Sequence, residues 1–301
     1  MTCHISLCLP PGPDRGKISK YMGDLDVALP QLAGHVDSLW MTDHFIWDSD
    51  PCYEAWTVMS YLAARWPQYR IGSIVLGQSY RNPALLAKMA ATLQQLSGGR
   101  FIMGIGAGWK EDEYRAYGWP YPRAAIRIEQ LKDTLEILTR MWREPGPVTW
   151  RGRHYRITNA ICEPRPDPVP PVIVGGGGRK TMRLAAQYAD GWNLPDSSSE
   201  TFRERLAILH QHCEEMGRDH ANIEVSLLGR LSVATTEQTA RERNSRSWER
   251  EGAFIGSSSQ VIEQMQAFID LGVNRFILEI LEFSDAEVIG ILKEDILPAL
   301  R

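Results

Sequence analysis

Short, unbroken apolar runs recur along this chain, each closed by small or polar residues and followed by a stretch with helical spacing. Residues 101–105, Phe-Ile-Met-Gly-Ile, are the clearest of them. No alternation of polar and apolar positions interrupts this run, which is the pattern of a strand buried on both faces of a parallel sheet. Similar segments predict strands at 3–9, 36–41, 70–76, 172–174, 191–194, 224–234 and 275–280. Between them lie predicted helices. Residues 84–96 are apolar on one face and end at Gly98-Gly99, a helix stop. Residues 123–142 place Leu131, Leu135 and Leu138 at helical spacing, and further helices are predicted at 182–188, 200–216 and 285–300.

Eight strands alternating with helices predict an α/β fold, a closed (β/α)8 TIM barrel. An open, doubly wound sheet is the alternative, but the dinucleotide fingerprint that would follow its first strand is missing. Two segments break the alternation: 111–123 after the fourth strand, rich in tyrosine and tryptophan, and the proline-rich 145–170 before the fifth, with a short hairpin expected around Val148-Thr149-Trp150. Such insertions commonly form lids or pocket walls. No linker or repeat divides residues 1–301, so a single barrel domain is expected.

A length of 301 residues with 44% hydrophobic positions supports a barrel-sized core. The formal net charge of -4 and the lack of a basic stripe argue against a nucleic-acid or anionic-membrane surface. The mixed charges at 241–251 read as a solvated helix face. Cys3, Cys8, Cys52, Cys162 and Cys213 lack metal-ligand spacing and are expected as free thiols in a reducing compartment. No membrane span, signal peptide or metal motif is evident, so a cytoplasmic location is expected.

Candidate chemistry gathers where the strands end. Ligands of parallel α/β folds bind at the carboxyl ends of the strands. Asp43-His44 follows the second strand, where a histidine that titrates near neutrality would take or give a proton and the carboxylate would orient it or meet a cofactor ring. Trp47 would add an aromatic wall. Gly104-Ile105-Gly106-Ala107-Gly108-Trp109 lets backbone approach a ligand closely. Gly175, Gly176, Gly177 and Gly178 open a helix beside Arg179, Lys180 and Thr181, a natural anion site. Asn193 ends the sixth strand within reach of the pocket, and Glu113 reads as either a turn-capping or a functional carboxylate.

In order and spacing, these motifs resemble the bacterial luciferase-like superfamily of (β/α)8 barrels. The likeness is densest in Arg81-Asn82-Pro83-Ala84, in Leu-x-x-Leu-Ser-Gly-Gly-Arg at 93–100 and in the glycine run at 104–109. It resumes at 172–181 and 189–193. Thr42-Asp43-His44-Phe45 and Gly191-Trp192-Asn193 resemble the branch that uses coenzyme F420, a deazaflavin, rather than FMN and oxygen. The resemblance implies an oxidoreductase transferring hydride between F420 and a small organic substrate. An FMN-dependent monooxygenase served by a separate reductase and a non-catalytic cofactor-binding protein are the alternatives.

It further implies that Asp43 contacts the cofactor and that His44 is the acid or base, with Trp47 approximating a family tryptophan one residue away. A cis peptide behind the ring is implied at Ser73-Ile74, by counting back from Asn82-Pro83. Ala107, Gly108 and the Gly175–Gly178 loop would hold the phosphate tail. A homodimer is implied through the helices around 54–65 and 84–96, for which exposed Met59, Tyr61, Met89 or Leu93 would be consistent. Two departures stand out. Trp109 occupies the position of the catalytic glutamate of the sugar-phosphate dehydrogenases, and Leu9-Pro10-Pro11-Gly12 lacks the acidic residue at the end of the first strand.

Overall fold

Eight parallel strands close on themselves in chain order in the computed structural model, which describes residues 3–13, 18–47, 50–245 and 252–300. They are β1 (His4–Cys8), β2 (Ser38–Met41), β3 (Arg70–Ser73), β4 (Phe101–Gly106), β5 (Val172–Gly175), β6 (Gly191–Pro195), β7 (Glu224–Val233) and β8 (Arg275–Ile280). Closure comes from β8 pairing with β1, with Ile5 opposite Phe276. The expected (β/α)8 barrel is therefore the fold.

Helices α1 (Ile18–Leu32), α2 (Ala55–Arg65), α3 (Pro83–Leu96), α4 (Glu111–Ala116), α5 (Ala124–Arg143), α6 (Arg179–Tyr188), α7 (Ser199–Glu215), α8 (Glu237–Ser245), α9 (Ser258–Ile269) and α10 (Ala286–Ile291) surround it. Local chemistry sets several of their starts. Asn82 caps α3 by accepting from the amides of Ala84 and Leu85, and Pro83 opens its first turn. Glu54 caps α2 in the same way, through Trp56 and Thr57.

The strands are largely apolar because both faces are covered. Outward residues such as Leu39, Ile71 and Met103 pack under the helices with Met59, Leu86 and Leu135. Inward, Cys8, Trp40, Ile74, Ile102, Ile173 and Ile277 form a separate cluster that fills the bore. Trp40 is admitted by Gly72, where a Cβ would lie 2.5 Å from its ring. The amino-terminal end of the bore is polar. Arg275 there reaches Asp37 at 2.7 Å and Glu224 at 2.7 Å, and also bonds Ser6 and Ser38. Burial would raise the Asp37 carboxyl, but the Arg275 charge and the hydrogen bonds that Arg275, Ser38 and Ser6 donate to it hold it below the usual carboxylate range.

Several expectations change. The third strand does not run through 76: it stops at Ser73, and a two-residue strand, Leu76–Gly77, resumes beside β4. Gly72 faces Ile102, and Leu76 then faces Ile105. Four residues oppose three, so one residue is looped out as a bulge. The cis peptide is Ile74-Val75, one residue later than Ser73-Ile74. Helix α6 begins at Arg179 rather than 182, and the last helix is broken by a π turn at Leu292–Ile296. The expected hairpin is present as Val148–Arg151 against Arg156–Ala160. An unforeseen short strand, Phe254–Gly256, adds to β7. The first part of the charge run forms α8, and 246–251 lie outside the described residues.

Met59 and Leu93 belong to the core rather than to an exposed face, whereas Tyr61, Leu85 and Leu96 are exposed. Cys3, Cys162 and Cys213 are buried free thiols, and the Cys52 thiol is half-buried. Among the described residues no helix is long and apolar enough to cross a membrane, and no cluster suits a metal ion.

Candidate functional site

The loop after β2 turns sharply and places Asp43 and His44 side by side with opposite fates. Asp43 is buried and turned toward the bulge: it accepts from Gly77 N at 3.0 Å and from both Arg81 terminal nitrogens, at 2.8 and 3.0 Å. Burial works against the Arg81 charge, but Asp43 and Glu54 outweigh it and keep that guanidinium firmly protonated. Asp43 thus ties the β2 loop to the bulge and to the start of α3 through a bidentate pair.

His44 faces the other way. Its Nδ1 lies 3.1 Å from Glu113 Oε2 and 3.2 Å from Oε1. Glu113, on α4, has a fully buried side chain and also accepts from Phe45 N at 2.7 Å, Ile46 N at 3.0 Å and Tyr80 Oη at 3.1 Å. Burial would raise its carboxyl, but the His44 contact and the two amides hold it below the usual carboxylate range. Burial and the Glu113 charge push the Tyr80 phenol well up, so it remains a donor to that carboxylate. An ionised carboxylate only accepts, so the bond to His44 requires the proton on Nδ1. In the neutral ring the lone pair then lies on Nε2.

The aromatic insertion explains why α4 sits where it does. Phe45 packs against Tyr80 and Tyr117 at 5.0 Å and against Trp119 at 5.2 Å, and Tyr117 and Trp119 stack with planes 9° apart. Arg127 lies over the Tyr121 ring at 4.0 Å and bonds the Gly108 carbonyl at 3.2 Å. On the open side of His44 stand two indoles, Trp47 at 4.8 Å and Trp109 at 5.7 Å between ring centroids, both edge-on. Gly108, with φ of 78°, makes the turn that delivers Trp109; a Cβ at Gly108 would also lie 2.0 Å from Tyr114 Oη.

The bulge sits among glycines. Val75 occupies the space where Cβ atoms of Gly106 and Gly175 would stand, 2.7 and 2.8 Å from its methyls. Ile74 plugs the bore, and Ser73 is buried with its hydroxyl donating to Gly104 O at 2.7 Å. Of the expected pair Ser73 and Ile74, neither is the outermost bulge residue; Val75 is. Ala107 is half-buried at the end of β4. Asn193 lies opposite Gly175, buried in the bore, and its amide donates to Ser226 at 3.1 Å.

The glycine loop then leads into α6, whose N-cap, Gly178, provides no side-chain hydrogen bond. The first-turn amides of such a helix lack intrahelical partners and suit an anion. A Cβ at Gly178 would meet nothing nearer than Thr181 Oγ1 at 3.8 Å, so the loop is open at that point. An open helix start, flanking glycines and nearby basic residues fit the phosphate of a flavin-like cofactor.

Comparison with known proteins agrees with this architecture. Residues 35–252 match the family model described as luciferase-like monooxygenase. The chain belongs to the luciferase-like monooxygenase family. Within that family it is 23% identical to an F420-dependent glucose-6-phosphate dehydrogenase of Amycolatopsis mediterranei (strain U-32), over 88% of this chain and 90% of that one. It is 31% identical to a phthiodiolone/phenolphthiodiolone dimycocerosates ketoreductase of Mycobacterium bovis (strain BCG / Pasteur 1173P2), over 69% of this chain and 55% of that one. A solved F420-dependent secondary alcohol dehydrogenase, in complex with an F420-acetone adduct, shares the fold with a TM-score of 0.85 at 21% identity, covering 100% of both chains.

Sequence reasoning singled out His44, Trp47, Trp109 and the glycines, and the luciferase-like barrel brings His44, Trp47 and Trp109 together. It missed Tyr80, and it gave no role to Arg81, which it quoted only as part of a motif. Glu113 caps the turn, as one reading held, and with its other oxygen also holds the histidine.

Proposed function

We propose that this chain is a coenzyme F420-dependent oxidoreductase acting on a small organic substrate, with His44 as its acid–base group. The observation that carries the acid–base assignment is the contact between His44 Nδ1 and buried Glu113 at 3.1 Å. It sets the proton on Nδ1, while the two indoles flank the same ring. The cofactor assignment rests on the likeness to F420-dependent relatives and on the fit of the glycine loop to a phosphate.

When bound, the deazaflavin supplies or accepts a hydride at its ring. The chain's own residues do the rest. Ala107, Gly108, the Gly175–Gly178 loop and the α6 amides would hold the phosphate end, and Val75 at the bulge would back the ring. Asp43 fixes the loop that carries His44. Nε2 takes the hydroxyl proton of an alcohol, and in the reverse direction the imidazolium returns it to a carbonyl oxygen. Glu113 stays ionised throughout and stabilises that imidazolium, much as an orienting carboxylate does for any catalytic histidine.

Replacing His44 with Ala tests the reading. Turnover is expected to fall by about 10²–10⁴-fold, the usual worth of a positioned general acid or base. Deazaflavin affinity, measured by direct titration, should persist. Unchanged turnover in H44A would remove His44 from the mechanism.

A further inference from the structure

We infer that the substrate end of this site takes an uncharged alcohol or ketone with an apolar tail, seated against the indoles of Trp109 and Trp47. The inference rests on the acid–base reading above and goes beyond it in naming the substrate class.

Trp109 is 63% exposed, an unusual state for the largest apolar side chain, and it stands beside the proposed base. Its place is fixed rather than incidental. Gly108 supplies the turn before it, and its own carbonyl accepts from Tyr121 Oη at 2.7 Å. Trp47 stands 6.2 Å from it, edge-on, so the two indoles and the His44 ring enclose one corner. A ligand covering that corner removes apolar surface from water while its oxygen meets Nε2.

The charges nearby point the same way. A phosphorylated or carboxylated substrate needs an uncommitted cation near the base. Arg81 is held by Asp43 and Glu54. Arg127 is held by the Gly108 and Pro122 carbonyls and by the Tyr121 ring. Arg230, at the carboxyl end of β7, pairs with Glu279 at 3.3 Å. Lys110 pairs with Asp112 and lies 5.5 Å over the Trp47 ring. Arg179 and Lys180 stand at the glycine loop, where the cofactor phosphate is placed. Among the described residues, Arg81, Arg127, Arg230 and Lys110 are thus already engaged, and the exposed side chain beside His44 is aromatic.

The test is calorimetric titration of a homologous set of methyl ketones, acetone to 2-octanone, and separately of glucose 6-phosphate. It is run on the wild type, W109A and W109E, with and without added oxidised F420. In the wild type each added methylene should tighten binding by about three- to fourfold, and glucose 6-phosphate should bind more weakly than 2-octanone. The dependence on chain length should shrink in W109A and vanish in W109E. Both substitutions sit at an exposed position, so the fold survives them. A flat series in the wild type, the same slope in both variants, or a preference for glucose 6-phosphate would overturn the inference. The F420 arm keeps the two readings apart. Ketone binding that climbs with chain length in a protein that ignores F420 defeats the cofactor assignment alone. F420 binding with a flat ketone series defeats the substrate class alone.

Discussion

His44 Nδ1 and Glu113 Oε2 stand 3.1 Å apart although 69 positions separate the two residues in the chain. The carboxylate is fully buried and collects hydrogen bonds from two amides and a phenol besides the imidazole. Removing its charge while keeping its shape should therefore act through the histidine. In Glu113→Gln the carbonyl oxygen can still serve the amides of Phe45 and Ile46, which turns the NH2 group toward Nδ1. That favours the tautomer with its proton on Nε2. The expected result is a fall in kcat of about 10²-fold with KM little changed, measured by steady-state turnover. A merely structural role would instead lower stability and leave kcat per folded molecule intact.

The same carboxylate should leave a mark on acid stability. Its pKa is lowered in the folded protein, so folding is favoured while it is ionised. That contribution is fully present above the unfolded value of about 4.3 and is lost as pH falls through the lower folded value. The difference in unfolding free energy between wild type and Glu113→Gln should be widest near neutrality and should narrow below about pH 4. Denaturant titrations across this range check it, and a difference that grows on acidification would contradict the assignment.

Two glycines separate folding from cofactor binding. A Cβ at Gly106 would press within 2.7 Å of a Val75 methyl, so Gly106→Ala should displace the bulge and lower the thermal midpoint. Gly178 has φ of -75° and open space around it, so Gly178→Ala should leave the midpoint nearly unchanged. If the phosphate tail rests there, the added methyl should crowd it, and G178A should still weaken F420 binding by about tenfold. Equal F420 affinity in wild type and G178A would move the phosphate elsewhere.

The barrel itself was readable because strands covered on both faces are mostly apolar without alternation, as 101–105 is. The bulge was not. Its extra residue lies inside one apolar run, and only the shift from Gly72 opposite Ile102 to Leu76 opposite Ile105 reveals it. Counting back from Asn82-Pro83 put the cis peptide one residue early for the same reason. Asp43 and His44 were visible as a pair at a strand end, but their separate partners were not, because Arg81 precedes α3 and Glu113 lies on α4, both distant in the chain. Exposure of Met59 and Leu93 was likewise undecidable from helical spacing, since a helix on a barrel has apolar residues facing the strands and facing neighbouring helices alike.

The central claim is most directly tested by titrating the purified protein with oxidised F420 and, separately, with FMN, following quenching of its tryptophan fluorescence. Saturable quenching by F420 at micromolar concentration or below, with FMN much weaker, is the expected result. Tight binding of FMN with no response to F420 would contradict it.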